Sequence, residues 1–443
     1  MSWVRNIRRF LADRSGNVAI IVALSFFPLL VIAGGATDIA RYEAFRVQLQ
    51  SGVDRAALAA AALNQTKPTQ TTVRDYLKVI DFLDDVTLDI QEQVRLNSKS
   101  VTVNARYAMP TAFLPLIGIE TLDVVASASA EERRSNIELS LMLDFSGSMA
   151  SNSKYSRLKT AATAFIDAIL TEQTKATTTI NIVPYAGQVS VGKTAFDALV
   201  NLPANPSRRE HNNSSCFEMR NDSDYGTGVI SFIPRGQVPH FTVWNATNNT
   251  ANLNPGWCPS DDTSIAFMSN DAAALKQRIA NAKMYDGTGT AIAANWGLML
   301  LDPSSRPMMN LMRANGLAST QFPDRPVAFD DPETLKFIVL MTDGEITEQY
   351  TAKDKNKPVR TSNNATQIST KDTNVTRFYK VCDAAKANGV VVFTIGFEAN
   401  STAAAQMRKC ATSASHFYQV SGLDINSAFQ SIATAIQQIR LTQ

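Results

Sequence analysis

Five oxygen-bearing side chains, carried on three distant stretches of the chain, have the types and spacing to hold a hard metal ion. Asp144-Phe145-Ser146-Gly147-Ser148 follows the apolar run Ile137-Glu138-Leu139-Ser140-Leu141-Met142-Leu143. Gly287-Thr288-Gly289-Thr290 opens a helical pattern, and Thr342-Asp343-Gly344-Glu345 follows Phe337-Ile338-Val339-Leu340-Met341. Carboxylate and hydroxyl oxygens suit Mg2+, Mn2+ or Ca2+ and not zinc. Asp144, Ser146 and Ser148 alternate along their turn, so all three can point one way while Gly147 allows the tight backbone. Two carboxylates balance a divalent ion and hydroxyls add no charge, which leaves a neutral, incomplete shell. A carboxylate from a protein partner could complete it, making the ion a docking point and not a catalyst. Each motif alone is an ordinary turn, because Ser and Asp favour loops by local hydrogen bonding. Their order and joint presence carry the reading.

The elements that must position these residues alternate from residue 137 onward. Strands are expected at 137–143, 178–184, near 188–192, at 335–341, 390–396 and 416–420. Helices are expected near 156–170, 271–283, 290–301, 373–388, 402–411 and 424–440. That alternation predicts an α/β fold, a doubly wound and mostly parallel sheet, whose strand ends converge on one crevice. The oxygen set resembles the metal-ion-dependent adhesion site of von Willebrand factor type A (VWA) domains. Asp144, Ser146 and Ser148 stand in its Asp-x-Ser-x-Ser positions, Thr290 in its threonine position and Asp343 in its Thr-Asp-Gly position. The resemblance covers 137–443 and implies Mg2+ and a protein ligand. Insertions at 203–265, 303–333 and 346–372 interrupt it. Loops this long in a compact domain are functional or disordered, and these are expected to shape a partner surface or to be decoration.

The N-terminus predicts a membrane anchor. Val18 to Thr37 carries no charge and is long enough to span a hydrocarbon core. Arg5, Arg8, Arg9 and Arg14 precede it, which places residues 1–17 in the cytoplasm and everything after Asp38 outside. A cleaved signal peptide, with Gly34-Gly35-Ala36 serving a peptidase, is the competing reading. Ile39, Tyr42, Phe45, Leu49, Val53, Ala57 and Ala60 continue a helical period, so one helix from about 18 to 64 is expected, with 38–64 as a stalk. This region, from Arg14-Ser15-Gly16-Asn17 through Asp38, is similar to the N-terminus of TadG-type pilus-assembly proteins, which implies a bacterial inner-membrane protein working with pilus or secretion machinery. Ile21 stands where a prepilin would carry glutamate, so prepilin-peptidase processing is not expected. Residues 65–134 read as a small α+β unit: a helix over 70–83, strands around 86–95, 100–107 and 121–129, and a solvated hinge at Glu131-Glu132-Arg133-Arg134.

The formal net charge of +2 over 443 residues points to no nucleic acid. Four cysteines read by neighbourhood as two pairs, Cys216 with Cys258 and Cys382 with Cys410, and an exported location favours disulfides over buried thiols. His211, His240 and His416 have no second ligand near them in sequence, so no zinc site is expected. Gly187-Gln188-Val189-Ser190-Val191-Gly192-Lys193-Thr194 matches the phosphate-binding loop of nucleotide hydrolases. However, Val189 and Val191 alternate as in a strand, and Pro203 soon interrupts the pattern beyond Thr194. Ser146 stands where an Asp-x-Asp phosphatase needs its second carboxylate, and no histidine accompanies these motifs for a Ser-His-Asp hydrolase. The residues therefore predict a binding module and no enzyme, with a structural, pseudopilin-like scaffold as the alternative.

Overall fold

A computed structural model describes residues 17–95, 97–243, 256–355 and 364–442. Arg5, Arg8, Arg9, Arg14, Trp244 and Asn245 lie outside the described residues. The chain forms two compact units, Met1–Arg133 and Arg134–Gln443.

In the first unit α1 (Asn17–Ala61) is a single 45-residue helix with Pro28 inside it. Its N-terminal part reaches a mean hydropathy of 2.2 and is almost entirely exposed; it is long and apolar enough to cross a membrane. The C-terminal part is not a free stalk. Leu49, Val53, Ala56, Ala57 and Ala60, recurring every three or four residues, are buried against Val101, Val103 and Ala105 of a three-stranded antiparallel sheet. That sheet is β1 (Val86–Val94), β2 (Ser98–Pro110) and β3 (Thr121–Arg133), and α2 (Thr69–Leu77) packs on α1 and joins the same core through Val73 and Leu77. The helix expected through 83 stops at Leu77, and the chain then turns so that Ile80 meets α1 at Gly52, where a Cβ would lie 2.8 Å from Ile80 Cδ1. Glu131, Glu132 and Arg133 are no hinge: they pair with Ser100, Lys99 and Ser98 in the β2–β3 ladder.

The second unit holds, in chain order, β4 (Asn136–Asp144), α3 (Lys154–Ile169), β5 (Thr178–Tyr185), α4 (Lys193–Leu199), β6 (Ala266–Ser269), α5 (Ala272–Asn281) and α6 (Thr290–Met299). It continues with α7 (Arg306–Ala314), β7 (Thr334–Thr342), β8 (Gln349–Ala352), β9 (Ala365–Ser369), α8 (Lys371–Ala387), β10 (Val391–Phe397), α9 (Ser401–Cys410), β11 (Phe417–Val420) and α10 (Asp424–Thr442). Six strands form one sheet in the order β11-β10-β7-β4-β5-β6. All neighbours are parallel except β5 and β6. Successive residues of β4 and β7 go to opposite faces: Leu139, Leu141, Val339 and Met341 join one core with Phe165 and Ile432, while Met142, Ile338 and Leu340 join the other with Trp296 and Phe378. Burial on both faces is why these strands read as continuous apolar runs.

One expectation needs correction here. Residues 188–192 form no strand; Ser190 makes one isolated bridge to Ser264, and Val189 and Val191 are buried in the core as loop residues. The insertions carry structure of their own. The second contains α7, and the third contains the antiparallel β8–β9 pair. The first is closed by the Cys216–Cys258 disulfide over a small core of Val238, Phe241 and Trp257, and a second bridge joins Cys382 of α8 to Cys410 of α9.

Candidate metal centre

In a doubly wound sheet ligands bind beyond the carboxyl ends of the strands, where the chain reverses its direction of winding. Here that point lies between β4 and β7, and the loops leaving those strands carry Asp144 and Asp343. The turn after β4 folds back onto Asp144: the Ser146 N–H donates to Asp144 Oδ1 at 2.8 Å. Ser146 Oγ and Ser148 Oγ lie 2.9 Å apart, and Ser148 Oγ donates to Asp343 Oδ1 at 2.5 Å. Thr342 Oγ1 donates to Asp144 Oδ2 at 2.7 Å. Four of the five expected side chains thus form one connected cluster.

Thr290 completes the set differently. It is the first residue of α6, and it enters the crevice because Gly289 packs directly on the loop after β5, its N–H donating to the Ala186 carbonyl at 2.6 Å. A Cβ at Gly289 would lie 2.3 Å from the Gly187 carbonyl oxygen, so only glycine allows this approach. The Tyr185 hydroxyl lies against Thr290 and Thr342 while donating to the Met341 carbonyl at 3.0 Å. Thr290 itself is fully buried, and with the Tyr185 hydroxyl directed to Met341 its own hydroxyl is left without a well-formed hydrogen bond. Buried polar atoms are rarely left this way.

Electrostatics single out Asp144. Complete burial and the facing Asp343 carboxylate push its carboxyl up to about 7, against the hydrogen bonds it accepts. Two buried carboxylates sharing a site favour a proton or a cation between them. One cation is built in: Lys154 Nζ donates to Asp343 Oδ2 at 2.5 Å, with both side chains buried. Lys154 is the first residue of α3, where a positive charge opposes the helix dipole. Left-handed backbone at Asn152 and Ser153 (φ 54° and 56°) delivers it there, and the Asn152 amide is held by Glu398 at 3.1 Å. Lys154, Thr342 and Tyr185 were not expected from the sequence; a lysine opening a helix so soon after the Asp-x-Ser-x-Ser turn was the available signal.

The donor set, carboxylate and hydroxyl oxygens, suits a hard cation. Among the described residues no three His, Cys, Asp or Glu side chains come together as a metal cluster, this crevice included, where the carboxylates number two and the other oxygens are hydroxyls.

Two further features frame the crevice. The Thr347 N–H donates to the Thr288 carbonyl and the Thr288 N–H to Thr347 Oγ1, both at 3.2 Å, which ties the loop after β7 to the one before α6. Gln349 accepts from Gln188 (2.7 Å) and from the Trp257 indole (3.2 Å) and donates to the Gly187 carbonyl (3.0 Å). The phosphate-loop pattern is spent on this packing. Its Gly187 and Val191 amides donate to Asp286 and Ser215 carbonyls, and Lys193 pairs with Asp197 at 2.5 Å at the start of the seven-residue α4.

Residues 16–63 match the family described as putative Flp pilus-assembly TadE/G-like. No curated protein matches the chain. Among solved structures, the chain is similar to the vWF domain of the type V pili tip protein Mfa5 from Porphyromonas gingivalis, at 13% identity over 70% of this chain and 97% of that one, with a TM-score of 0.38. It is also similar to the PilB minor pilin from Streptococcus sanguinis (12% identity, 80% and 79% covered, TM-score 0.35). A third likeness is the pilus adhesin RrgA from Streptococcus pneumoniae (11% identity, 80% and 49% covered, TM-score 0.34).

Proposed function

We propose that this TadG-like chain, with its VWA-type α/β unit, is a membrane-anchored adhesion module that grips a protein partner through a divalent cation, in Flp/Tad-type pilus assembly or surface adhesion. α1 would hold it in the bacterial inner membrane with the N-terminus cytoplasmic and the second unit periplasmic or surface-exposed. The observation that carries the reading is the buried oxygen cluster at the β4–β7 crevice, with one carboxyl raised to about 7 and the Thr290 hydroxyl left without a well-formed hydrogen bond.

Asp144, Ser146, Ser148, Thr290 and Asp343 would hold Mg2+, which supplies a strong positive charge at the mouth of the crevice. Asp144 would hold the ion in its ionised form, which costs it a proton below about pH 7. With both carboxylates ionised, Lys154 offsets one charge, so a divalent ion leaves the site one unit positive. One carboxylate from a partner restores neutrality, which favours an acidic ligand over a neutral one. The crevice gathers oxygen donors and one lysine, a set suited to binding. The alternative is a purely structural ion clipping the turn of Ser146 and Ser148 to the loop of Asp343, since Thr347 and Gln349 join only the other loops of the crevice.

Calorimetry of the full chain in detergent with MgCl2 tests this. One site of uptake is expected, abolished by Asp144→Ala while the circular dichroism is unchanged. An absence of uptake by the unmodified protein would falsify the reading.

A further inference from the structure

The first unit carries an apolar loop that the anchor-and-adhesion reading does not use. Between β2 and β3 the chain runs Thr111-Ala112-Phe113-Leu114-Pro115-Leu116-Ile117-Gly118-Ile119 without a charge. Phe113, Leu116, Ile117 and Ile119 are 37%, 50%, 52% and 40% exposed. The loop lies against α1 inside its apolar span: a Cβ on Gly34 would fall within 2.5 Å of the Phe113 side chain, and one on Gly35 lies 3.3 Å from Leu114 Cδ2. Both glycines are buried by the loop, while Leu29 and Ile32 beside them are 62% and 69% exposed.

We infer that this loop is a second membrane-inserted element, a wedge that enters the outer leaflet beside α1 and is solvated by lipid acyl chains. Three observations support it. The surface it presents is continuous with the lipid-facing side of the spanning helix. Its depth is right: Gly34 lies four residues from Asp38, about 6 Å along the helix axis, within the roughly 5–10 Å by which interfacial elements enter the bilayer.

The third observation is the hydrogen-bond inventory. Irregular backbone survives in lipid only when its polar groups are satisfied internally. The fully buried Asp38 carboxylate accepts the N–H groups of Ala112 (2.9 Å), Phe113 (2.8 Å) and Leu114 (3.0 Å). Pro115 has no N–H to satisfy. The Leu116, Gly118 and Ile119 amides donate to the Phe113, Pro115 and Leu114 carbonyls, and Thr111 donates from its N–H and hydroxyl to Glu120 and from the hydroxyl to Ile119. These bonds account for the N–H groups of Thr111–Ile119 apart from that of Ile117, so the loop presents few bare donors to lipid. Charges resume only outside it, at Glu120, Arg41 and the Arg106–Asp123 pair.

The inference rests on the anchor reading, and its test separates the two. The four cysteines are bridged, so a single introduced thiol can be labelled with an environment-sensitive fluorophore. Leu116→Cys, Leu24→Cys in the span and Val79→Cys in the exposed turn after α2 are each reconstituted as full chain in phosphatidylethanolamine–phosphatidylglycerol vesicles carrying doxyl-labelled lipid. The wedge predicts a blue-shifted emission at Leu116 that shallow doxyl groups quench, deeper quenching at Leu24 and none at Val79. Quenching at Leu24 alone would overturn the wedge and leave the anchor. A blue shift at Leu116 without quenching would mean that protein, and not lipid, covers the loop, and also overturns it. Quenching at neither position would overturn both.

Discussion

Each unit buries carboxylate beneath a turn, and the two solve the problem in opposite ways. In the first unit Asp38 receives three backbone N–H groups and the Arg41 guanidinium at 3.4 Å, so its charge is matched where it sits. In the second, Asp144 and Asp343 face each other with hydroxyls between them and one lysine, and Asp144 is pushed towards its protonated form. Hydroxyls can turn to donate or accept, whereas backbone N–H groups cannot. Asp38 is thus held by three amides, whereas Asp144 accepts one, from Ser146, and its remaining partners are hydroxyls that can reorient. Burial alone, common to both, does not distinguish a tether from a binding site.

Neutralising substitutions should break the comparison most visibly. Asp38→Asn leaves loop amides without a full acceptor, and exchange protection of the Ala112, Phe113 and Leu114 amides in nanodiscs should fall on the order of a hundredfold. Asp144→Asn should leave the metal-free second unit as stable or more stable at pH 8, because it imitates the protonated state. Equal losses in both variants would remove the distinction between the clusters.

Next in size is the ion itself. Magnesium at about a hundred times its dissociation constant should stabilise the protein by about 2.7 kcal/mol, read as a raised melting temperature reversed by EDTA. The gain should vanish in Ser146→Ala and Asp144→Asn and persist in Asp38→Asn. Loss of the response in Asp38→Asn would show that the clusters are coupled.

The pH dependence sharpens the same contrast. The folded Asp144 carboxyl titrates at about 7, above its ordinary value of 3.8. The folded protein therefore binds more protons than the unfolded chain between those values, and this contribution to stability, complete below 3.8, is lost as pH rises through about 7. Metal-free protein should melt at a lower temperature at pH 8 than at pH 5.5 from this site. Saturating magnesium should flatten that difference, and magnesium affinity should rise over the same interval because binding expels the proton. A metal-free slope of opposite sign attributable to Asp144 would contradict the charge arrangement.

The smallest effect expected is that of the resident lysine. Lys154→Met removes a like charge from the ion's surroundings and should tighten magnesium by about tenfold, or about 1.4 kcal/mol, in the same calorimetry. Weaker binding would assign Lys154 the task of positioning Asp343.

Much of the sheet was legible because burial on both faces leaves a plain mark: β4 and β7 are almost unbroken apolar runs ending in the motif carboxylates. β6 was not, since four residues at an antiparallel edge carry too little pattern. Val189 and Val191 alternated as in a strand, yet their burial comes from a loop folded into the core, which period alone cannot separate from a ladder. The α2 boundary failed for a similar reason, because Ile80 continues the helical spacing but fills a notch at Gly52 from a turn. Within the crevice the motif oxygens could be named from the chain. Lys154 could not be paired with Asp343, as that contact depends on left-handed backbone at two ordinary residues.

The paired hydrogen bonds between Thr288 and Thr347 carry one more consequence. They tie the α6 entrance to the loop beyond Asp343, and Ser148 and Lys154 bind Asp343 from the other side. The crevice is therefore braced across both edges, and its second edge continues into α3, packed on α10 over one face of the sheet.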